Sequence, residues 1–382
     1  MNPTRRSAGA IAAIVTAGLL VGSGILATSA KASGTFIGPL KHIKIIASTM
    51  PKNGDINPYG VAVVPRSTGR LSQGNVLVSN FNDFNNVQGA GTTIVQVTPH
   101  GGMSLFAQIT DPACPGGVGL TTALVALRGG WVIVGSLPTQ NGSISGPGCL
   151  IVLDQWGNVR KTITGHGIDG PWDMTALDMG DISELFVTNV LGGILGPSNP
   201  NGGTVVRLLI TSEDDETPSV LANKQIGSGF PARTDPNALV IGPTGVGLGA
   251  DGTLYVADTL DNRIAAIPKA VFRFSDDQTG STVSQGGALN GELGLAIAPN
   301  GNILTVNGGD GNIVETTPYG AQVEVKTIDN NQGGGGNLFG LAVKPGADAV
   351  YFVDDFGSDN NLQLLFQPAQ KLLPGAYARA GA

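Results

Sequence analysis

Short apolar runs alternate with glycine-rich, Asp-Gly and Asn-Gly turns along most of this chain. The clearest unit spans residues 242–267. There an apolar strand, the turn Asp251-Gly252, a strand that ends at Asp258, a polar turn and a third strand from Arg263 follow one another. Short apolar runs bounded by such turns are typical of antiparallel strands. No long helical periodicity appears after residue 32. The pattern predicts an all-β chain built from a repeated hairpin unit.

The unit recurs in five weaker copies, and a polar residue ends the second strand of each. These residues are Asn80, Ser136, Asn189, Asp258, Asn307 and Asp354, which lie 47 to 69 positions apart. A four-stranded propeller blade takes roughly 40 to 50 residues, so the spacing predicts six blades with insertions in the earlier ones. Two polar insertions, at 213–235 and 275–290, are expected to be surface loops. The segment 42–47 is the predicted outer strand that closes the blade begun by Gly340.

Residues Asp251 to Ile264 resemble the repeat of the NHL family, which has an Asp-Gly turn, a Leu-Tyr-Val-Ala-Asp strand and an Asn-x-Arg-Ile continuation. The resemblance covers about residues 57–367, although the Asn-Arg-Ile part is much decayed in the other five copies. It implies a six-bladed β-propeller of four-stranded antiparallel blades. With the closing strand, the predicted domain spans 33–374 and is followed by a short tail, 375–382.

The chain begins with the features of a secretory signal. Arg5 and Arg6 precede an uncharged, mostly apolar stretch from Ala8 to Ala27, and the small residues Ala30 and Ala32 close it. This is the order of a signal peptide, with cleavage expected after Ala32 or after Ala30. A retained membrane anchor is the alternative reading of residues 1–32, and no later stretch is long and apolar enough to cross a bilayer. We expect an exported protein that is periplasmic, extracellular or held at the cell surface.

The net charge bears on which partners the chain can bind, and the cysteine content bears on whether it contains a disulfide. The net charge is −7 for the whole chain and becomes −10 when residues 1–32, which carry three basic residues and no acid, are removed. A nucleic-acid partner is therefore not expected. Cys114 and Cys149 are the chain's two cysteines. In an exported protein they predict one disulfide, with two buried free thiols as the alternative.

The polar strand ends are the first candidates for a site. Their equivalence in the repeat predicts that they lie near one mouth of the central channel, where oxygen donors can coordinate Ca²⁺ or another divalent cation. The candidates for metal or ligand contact are Asn80, Asn189, Asp258, Asn307 and Asp354. The arrangement resembles propellers of the gluconolactonase type, which imply a catalytic metal held by Asn, Asp and a Glu. No Glu lies near the start of the first blade, and the other glutamates are at poorly matched positions. Alternatively, each residue bonds the backbone of the turn that follows it.

His166 is the candidate catalytic residue. It lies in a loop before the third blade, close in sequence to Asp169 and Trp172. The streptogramin-lyase type of propeller, which the repeat also resembles, implies a His base working with a metal. An exposed loop His without a catalytic role is the alternative, and Trp172 is expected to lie on a face of the disc.

The repeat together with the lack of a complete catalytic set favours a non-enzymatic binding scaffold, whose loops contact a protein, a peptide or a polysaccharide. The alternative is a metal-dependent hydrolase or lyase with its site at the channel mouth.

Overall fold

The computed structural model describes residues 34–110, 114–140, 142–192, 200–236, 238–333, 335–356 and 360–368, and the fold is stated for these. The predicted signal peptide, 1–32, and the predicted tail, 375–382, lie outside the described residues.

Six four-stranded antiparallel sheets make up the fold, and their strands are numbered in chain order. Blade six begins the list because it holds β1: β1 (His42–Ser48), β28 (Asn361–Phe366), β27 (Ala349–Asp354) and β26 (Leu338–Val343). Blade one has β2 (Ile56–Val63), β3 (Val76–Asn82), β4 (Thr93–Val97) and β5 (Met103–Gln108). Blade two has β6 (Leu120–Ala126), β7 (Val132–Ser136), β10 (Cys149–Leu153) and β11 (Val159–Ile163). Blade three has β12 (Pro171–Asp178), β13 (Ile182–Asn189), β14 (Gly203–Thr211) and β15 (Val220–Phe230). Blade four has β18 (Pro243–Leu248), β19 (Leu254–Asp258), β20 (Arg263–Ile267) and β21 (Ser281–Gln285). Blade five has β22 (Glu292–Ile297), β23 (Ile303–Asn307), β24 (Asn312–Thr316) and β25 (Gln322–Thr327).

Two short hairpins and three one-turn helices complete the described structure. The hairpins are β8 (Thr139–Gln140) with β9 (Ser143–Ile144), and β16 (Arg233–Asp235) with β17 (Leu239–Ile241). The helices are 3₁₀ turns at Thr259–Asp261, Ala270–Phe272 and Asn331–Gly333. Within the described ranges, none of these helices has the length or the apolar character of a membrane span.

The ring closes through its N-terminal strand. β1 pairs antiparallel with β28, so that His42 lies opposite Phe366 and Ser48 opposite Asn361. The six-bladed fold and the closing strand at 42–47 are both confirmed. We call the face that carries the connections between consecutive blades the upper face. The face that carries the turn from the first to the second strand of each blade is the lower face.

The prediction that the two polar insertions are surface loops is wrong, because each contains the outermost strand of a blade. The segment 213–235 includes β15, and 275–290 includes β21. An outermost strand is exposed along one side and therefore carries polar residues, such as Asn223 and Lys224 in β15. Polarity alone cannot distinguish such a strand from a loop.

The inner strands approach each other most closely at one layer of the channel. Each inner strand has a bulge there, and in four blades a glycine occupies the bulge: Gly60, Gly245, Gly294 and Gly340. A Cβ on Gly340 would overlap the carbonyl oxygen of Tyr59, and one on Gly294 would overlap that of Phe339. Glycine is needed because the backbones of neighbouring blades are in contact. We call this layer the glycine waist.

Aromatic side chains fill the channel above the waist. The ring centroid of Tyr59 lies 4.3 Å from that of Phe81, 4.0 Å from that of Phe339 and 6.2 Å from that of Trp172. Leu239 of the β16–β17 hairpin is buried in the same cluster. The expectation that Trp172 lies on a face is wrong, since it is only 3% exposed. Tyr59, Phe81, Trp172 and Phe339, here called the aromatic plug, separate the upper face from the lower part of the channel.

The predicted disulfide is confirmed. Cys114, in the connection from β5 to β6, is bonded to Cys149 at the start of β10, with 5.7 Å between their Cα atoms. The bond joins the entry of blade two to its third strand.

Candidate functional site

The six polar strand ends occupy equivalent positions, as the repeat predicts. Each is paired with a residue at or near the start of its inner strand: Asn80 with Pro58, Ser136 with Leu120, Asn189 with Pro171, Asp258 with Pro243, Asn307 with Glu292 and Asp354 with Leu338. All six are buried, with no side chain more than 4% exposed.

Some of their polar atoms bond to neighbouring strands and loops, whereas Oδ1 of Asn80, Asp258 and Asn307 is buried without a hydrogen-bond partner. Asn80 Nδ2 donates to the Thr49 carbonyl oxygen at 3.0 Å and to Thr93 Oγ1 at 3.1 Å. Asn189 Oδ1 accepts from the Asp169 and Gly170 amides at 3.2 and 3.4 Å. These contacts tie a strand end to the loop beside it.

Asp354 and Asn307 also bond to the segments beside them. Asp354 Oδ1 accepts from the Phe356 amide at 3.0 Å. Asn307 Nδ2 donates to the Ala288 carbonyl oxygen at 2.7 Å and to Asp310 Oδ1 at 3.0 Å. Within the described ranges, no three His, Cys, Asp or Glu side chains are placed to hold one metal ion. Three of the five candidates are asparagines, whose amide oxygens can also bind a hard cation, and their metal or ligand contact stays a prediction.

A buried charge cluster joins blades four and five. Asp258 Oδ2 accepts from Arg263 Nη2 at 2.7 Å and from Nε at 2.9 Å. Glu292 is fully buried nearby, and neither of its carboxyl oxygens has a hydrogen-bond partner. Burial raises the pKa of Glu292 to about 9; the Asp258 carboxylate adds to the rise and Arg263 opposes it. Glu292 is therefore protonated at neutral pH.

The sequence analysis missed Glu292, since it treated the glutamates outside the first blade as badly placed. Aligning the inner strands on Gly60, Gly245 and Gly294 would have found it. In that alignment Glu292 occupies the position of Pro58 and Pro243, two residues before the glycine.

A groove lies on the upper face, above the aromatic plug. It consists of two adjoining cavities of ≈ 680 Å³ and ≈ 560 Å³ that share Gln88, Asp235 and Pro236. Phe339 of the plug lines the larger cavity, together with glycines of the surrounding loops. Cavities of a few hundred Å³ are typical of small-molecule sites.

Asp355 directly follows β27 at the upper end of blade six, and its carboxylate acts electrostatically on the buried Tyr59 of the plug. Burial raises the pKa of Asp355 to about 7, and the carboxylates of Asp354 and Asp329 add to the rise. The Tyr59 hydroxyl is buried beside the Asn57 side chain, without a hydrogen bond of ordinary geometry. Burial raises the pKa of Tyr59, and the neighbouring carboxylates of Asp355 and Asp235 raise it further. Asp235, which lines the groove, also pairs with Arg233 at 2.8 Å.

His166 lies apart from these groups. It is exposed in the connection from β11 to β12, and its Nδ1 is 3.3 Å from Asn223 Oδ1 on the outermost strand of blade three. The structure does not bring it together with the polar strand ends or with the groove.

No protein-family model matches this chain, and no curated protein matches it in sequence. The resemblance to the NHL repeat therefore stays a prediction from the sequence. Solved propellers do match the fold. A gluconolactonase from Xanthomonas campestris is 13% identical, with 83% of this chain and 87% of that chain covered and a TM-score of 0.52.

Two further structures match over similar lengths. The calcium-binding protein regucalcin from Agrobacterium tumefaciens is 13% identical, with 84% of this chain and 93% of that chain covered and a TM-score of 0.50. A PQQ-bound aldose sugar dehydrogenase from Streptomyces coelicolor is 13% identical, with 86% and 99% covered and a TM-score of 0.51. At this identity the likeness shows the propeller fold, which carries different chemistries in the three proteins.

Proposed function

We propose that this chain is a hydrolase or lyase that acts on a small molecule held in the upper-face groove. The observation that carries the proposal is a groove of small-molecule size whose lining includes Phe339 and Asp235. Tyr59 stacks on Phe339, and the carboxylates of Asp355 and Asp235 both act electrostatically on Tyr59. Asp355 has a pKa raised to about 7 by burial and by neighbouring carboxylates. A carboxyl group with a pKa near the working pH suits general acid–base catalysis.

Asp355 is the proposed general base, and Tyr59 is the proposed hydrogen-bond donor to the substrate. The Tyr59 hydroxyl is buried beside the Asn57 side chain without a hydrogen bond of ordinary geometry, and a substrate that displaces Phe339 from the groove would bring an oxygen to it. Phe339, stacked on Tyr59 and lining the groove, supplies an apolar contact surface. Together these groups can orient a carbonyl compound and take a proton from water or from the substrate.

The structural neighbours guide the choice of substrate. They include a gluconolactonase and a sugar dehydrogenase, whose names refer to sugars and sugar-derived lactones. The first substrates to test are therefore aldonolactones, followed by simple esters.

A divalent cation is a separate question. One neighbour is a calcium-binding protein by name. Among the five strand-end candidates, Asn80, Asp258 and Asn307 each keep a buried Oδ1 without a hydrogen-bond partner, so their role as cation contacts stays a prediction. We therefore assign no catalytic step to a metal. Elemental analysis and thermal melting before and after chelation measure whether a cation is bound.

The activity test compares Asp355→Asn with a matched control. Asp348→Asn removes an exposed carboxylate from the lower-face turn of the same blade. We expect a lactone or ester to be hydrolysed by the wild type and the control, with a rate that increases as pH rises through about 7. Asp355→Asn should lower kcat by at least about a hundredfold. An unchanged kcat in a folded Asp355→Asn variant would exclude Asp355 as the base.

A binding scaffold is the second candidate, and a group of exposed aromatic side chains favours it. Phe272, Phe274 and Tyr319, on lower-face turns of blades four and five, are 77%, 81% and 97% exposed. The predicted partners, a protein, a peptide or a polysaccharide, can contact such residues. The double variant Phe272→Ser with Phe274→Ser should lose binding to an immobilised polysaccharide or peptide if this reading holds, with wild-type catalytic activity retained.

Export is also proposed, and the disulfide between Cys114 and Cys149 supports it. Such bonds persist in oxidising compartments. N-terminal sequencing of the protein from cell fractions tests both the export and the cleavage after Ala32 or Ala30.

A further inference from the structure

Below the glycine waist the channel opens into a cavity of ≈ 550 Å³ on the lower face. All six inner strands line it. One apolar residue from each strand follows the bulge and contributes to the walls: Val61, Leu124, Met174, Val246, Leu295 and Leu341. The aromatic plug and the waist close the upper end, so the cavity is reached from the lower face. It is separate from the upper-face groove.

One carboxyl group lies at the closed end of this cavity. Asp173 occupies the bulge of β12, where four other blades have a glycine. Its Oδ1 accepts from the Met174 amide at 2.8 Å, and its Oδ2 accepts from the Val246 amide of the next blade at 3.2 Å. Asp173 therefore links two blades and also presents a carboxylate to the cavity.

This carboxylate has no counter-ion in the described part of the chain, where no Lys, Arg or His forms an ion pair with it. The other charged residues that line the cavity are Arg128 and Asp178, near the lower ends of their strands. Asp178 accepts from the Arg128 amide at 2.7 Å and from the Gly180 amide at 3.0 Å. Burial raises the pKa of Asp173 to about 7, which reflects the cost of an uncompensated charge.

We propose that the lower cavity binds an organic ammonium ion, with the ammonium group against Asp173 and an apolar body against the surrounding walls. The carboxylate oxygens accept one amide each and have lone pairs left for ammonium donors. A neutral ligand would leave the carboxylate without a counter-charge, and an anionic ligand would be repelled by it. The aliphatic side chains that line the cavity, such as Val61, Leu124 and Leu341, give an alkyl or aryl body a contact surface beside exposed polar groups of the inner strands.

The test is calorimetric titration of the full chain at pH 8 with three probes of similar shape: 2-phenylethylammonium, 2-phenylethanol and phenylacetate. We expect the ammonium to fill one site per chain and to bind at least about tenfold more tightly than the alcohol. Phenylacetate should not bind. Equal affinity for ammonium and alcohol, or no binding of the ammonium, would overturn the proposal.

Three variants locate the site. Asp173→Asn should reduce the affinity for the ammonium to that for the alcohol. Arg128→Gln removes a charge near the opening and should leave the preference for the ammonium intact. Asp355→Asn, on the upper face, should not change ammonium binding, so this proposal and the proposed catalytic function can fail independently. A preference that survives Asp173→Asn would overturn the assignment.

A pH titration of the wild type gives a second test that needs no variant. Ammonium binding requires the Asp173 carboxylate, so the affinity should fall by up to about tenfold per pH unit below the pKa of about 7. The alcohol should show no such dependence. A flat profile for the ammonium would contradict a contact with Asp173.

Discussion

Glu292 lies directly opposite Asn307 where blade five begins. Burial raises its pKa to about 9, which is higher than the values of about 7 for Asp173 and Asp355. Glu292 lies beside the ion pair between Asp258 and Arg263, which already balances one negative charge. A protonated Glu292 keeps this cluster neutral overall. The stability of the junction between blades four and five therefore depends on that proton.

Replacement by glutamine should be well tolerated. Glu292→Gln keeps the volume and the neutral form of the side chain, so it adds no charge to the buried cluster. We expect the free energy of unfolding at pH 7 to change by less than about 1 kcal/mol. Glu292→Ala should cost about 1 to 3 kcal/mol, because it leaves a cavity. Urea unfolding of the two variants checks this, and a larger loss for Gln than for Ala would show that Glu292 acts as a charged group.

The same proton predicts the dependence of stability on pH. The unfolded chain loses it near pH 4.5 and the folded chain only near pH 9, so stability falls as pH rises between these values. Asp173 and Asp355, with pKa values of about 7, contribute in the same direction at lower pH. Between pH 7.5 and 8.5 the loss should approach about 1.4 kcal/mol per pH unit in the wild type. In Glu292→Gln the slope should be much smaller; parallel profiles in urea unfolding would contradict the raised pKa.

The glycine waist predicts a steric limit. In Gly340→Ala the new methyl group would overlap the Tyr59 carbonyl oxygen, which is backbone and cannot rotate away. We expect a loss of about 1 to 3 kcal/mol in the free energy of unfolding. Gly146→Ala is the control, because a Cβ there meets its nearest atom at 3.8 Å. Equal stability of the two variants would mean that the inner strands can separate at the waist.

The repeat allowed the blades to be predicted because strand pattern and turns are local features. Asp251-Gly252 and the strand that ends at Asp258 are visible within a few residues of sequence. The closing strand at 42–47 followed from the need to complete the ring, and the disulfide from the cysteine count. Each of these inferences needed only the sequence of one blade, the requirement that the ring closes, or the number of cysteines.

The site depends on contacts between distant blades, which one sequence does not show. Tyr59, Trp172 and Phe339 form the aromatic plug although they are far apart in the chain. The strand ends are equivalent in the repeat, yet the sequence does not show which of their oxygens are bonded to neighbouring loops and which, such as Oδ1 of Asn80 and Asn307, are left without a partner. The place of Asp173 at the closed end of a cavity depends on the bulge of β12, which the sequence does not reveal.

The disulfide should contribute a large share of the stability of blade two. The sequence separation of Cys114 and Cys149 is 35. In the chain-entropy model, closing a loop of this size raises the free energy of the unfolded chain by about 4 kcal/mol. The double variant Cys114→Ser with Cys149→Ser should therefore melt at a clearly lower temperature than the oxidised wild type. The reduced wild type is the control, because it keeps both side chains and lacks only the bond, and it should melt close to the double variant. If reduction leaves the melting temperature unchanged while the double variant is unstable, the packing of the two sulfur atoms is responsible rather than the bond between them.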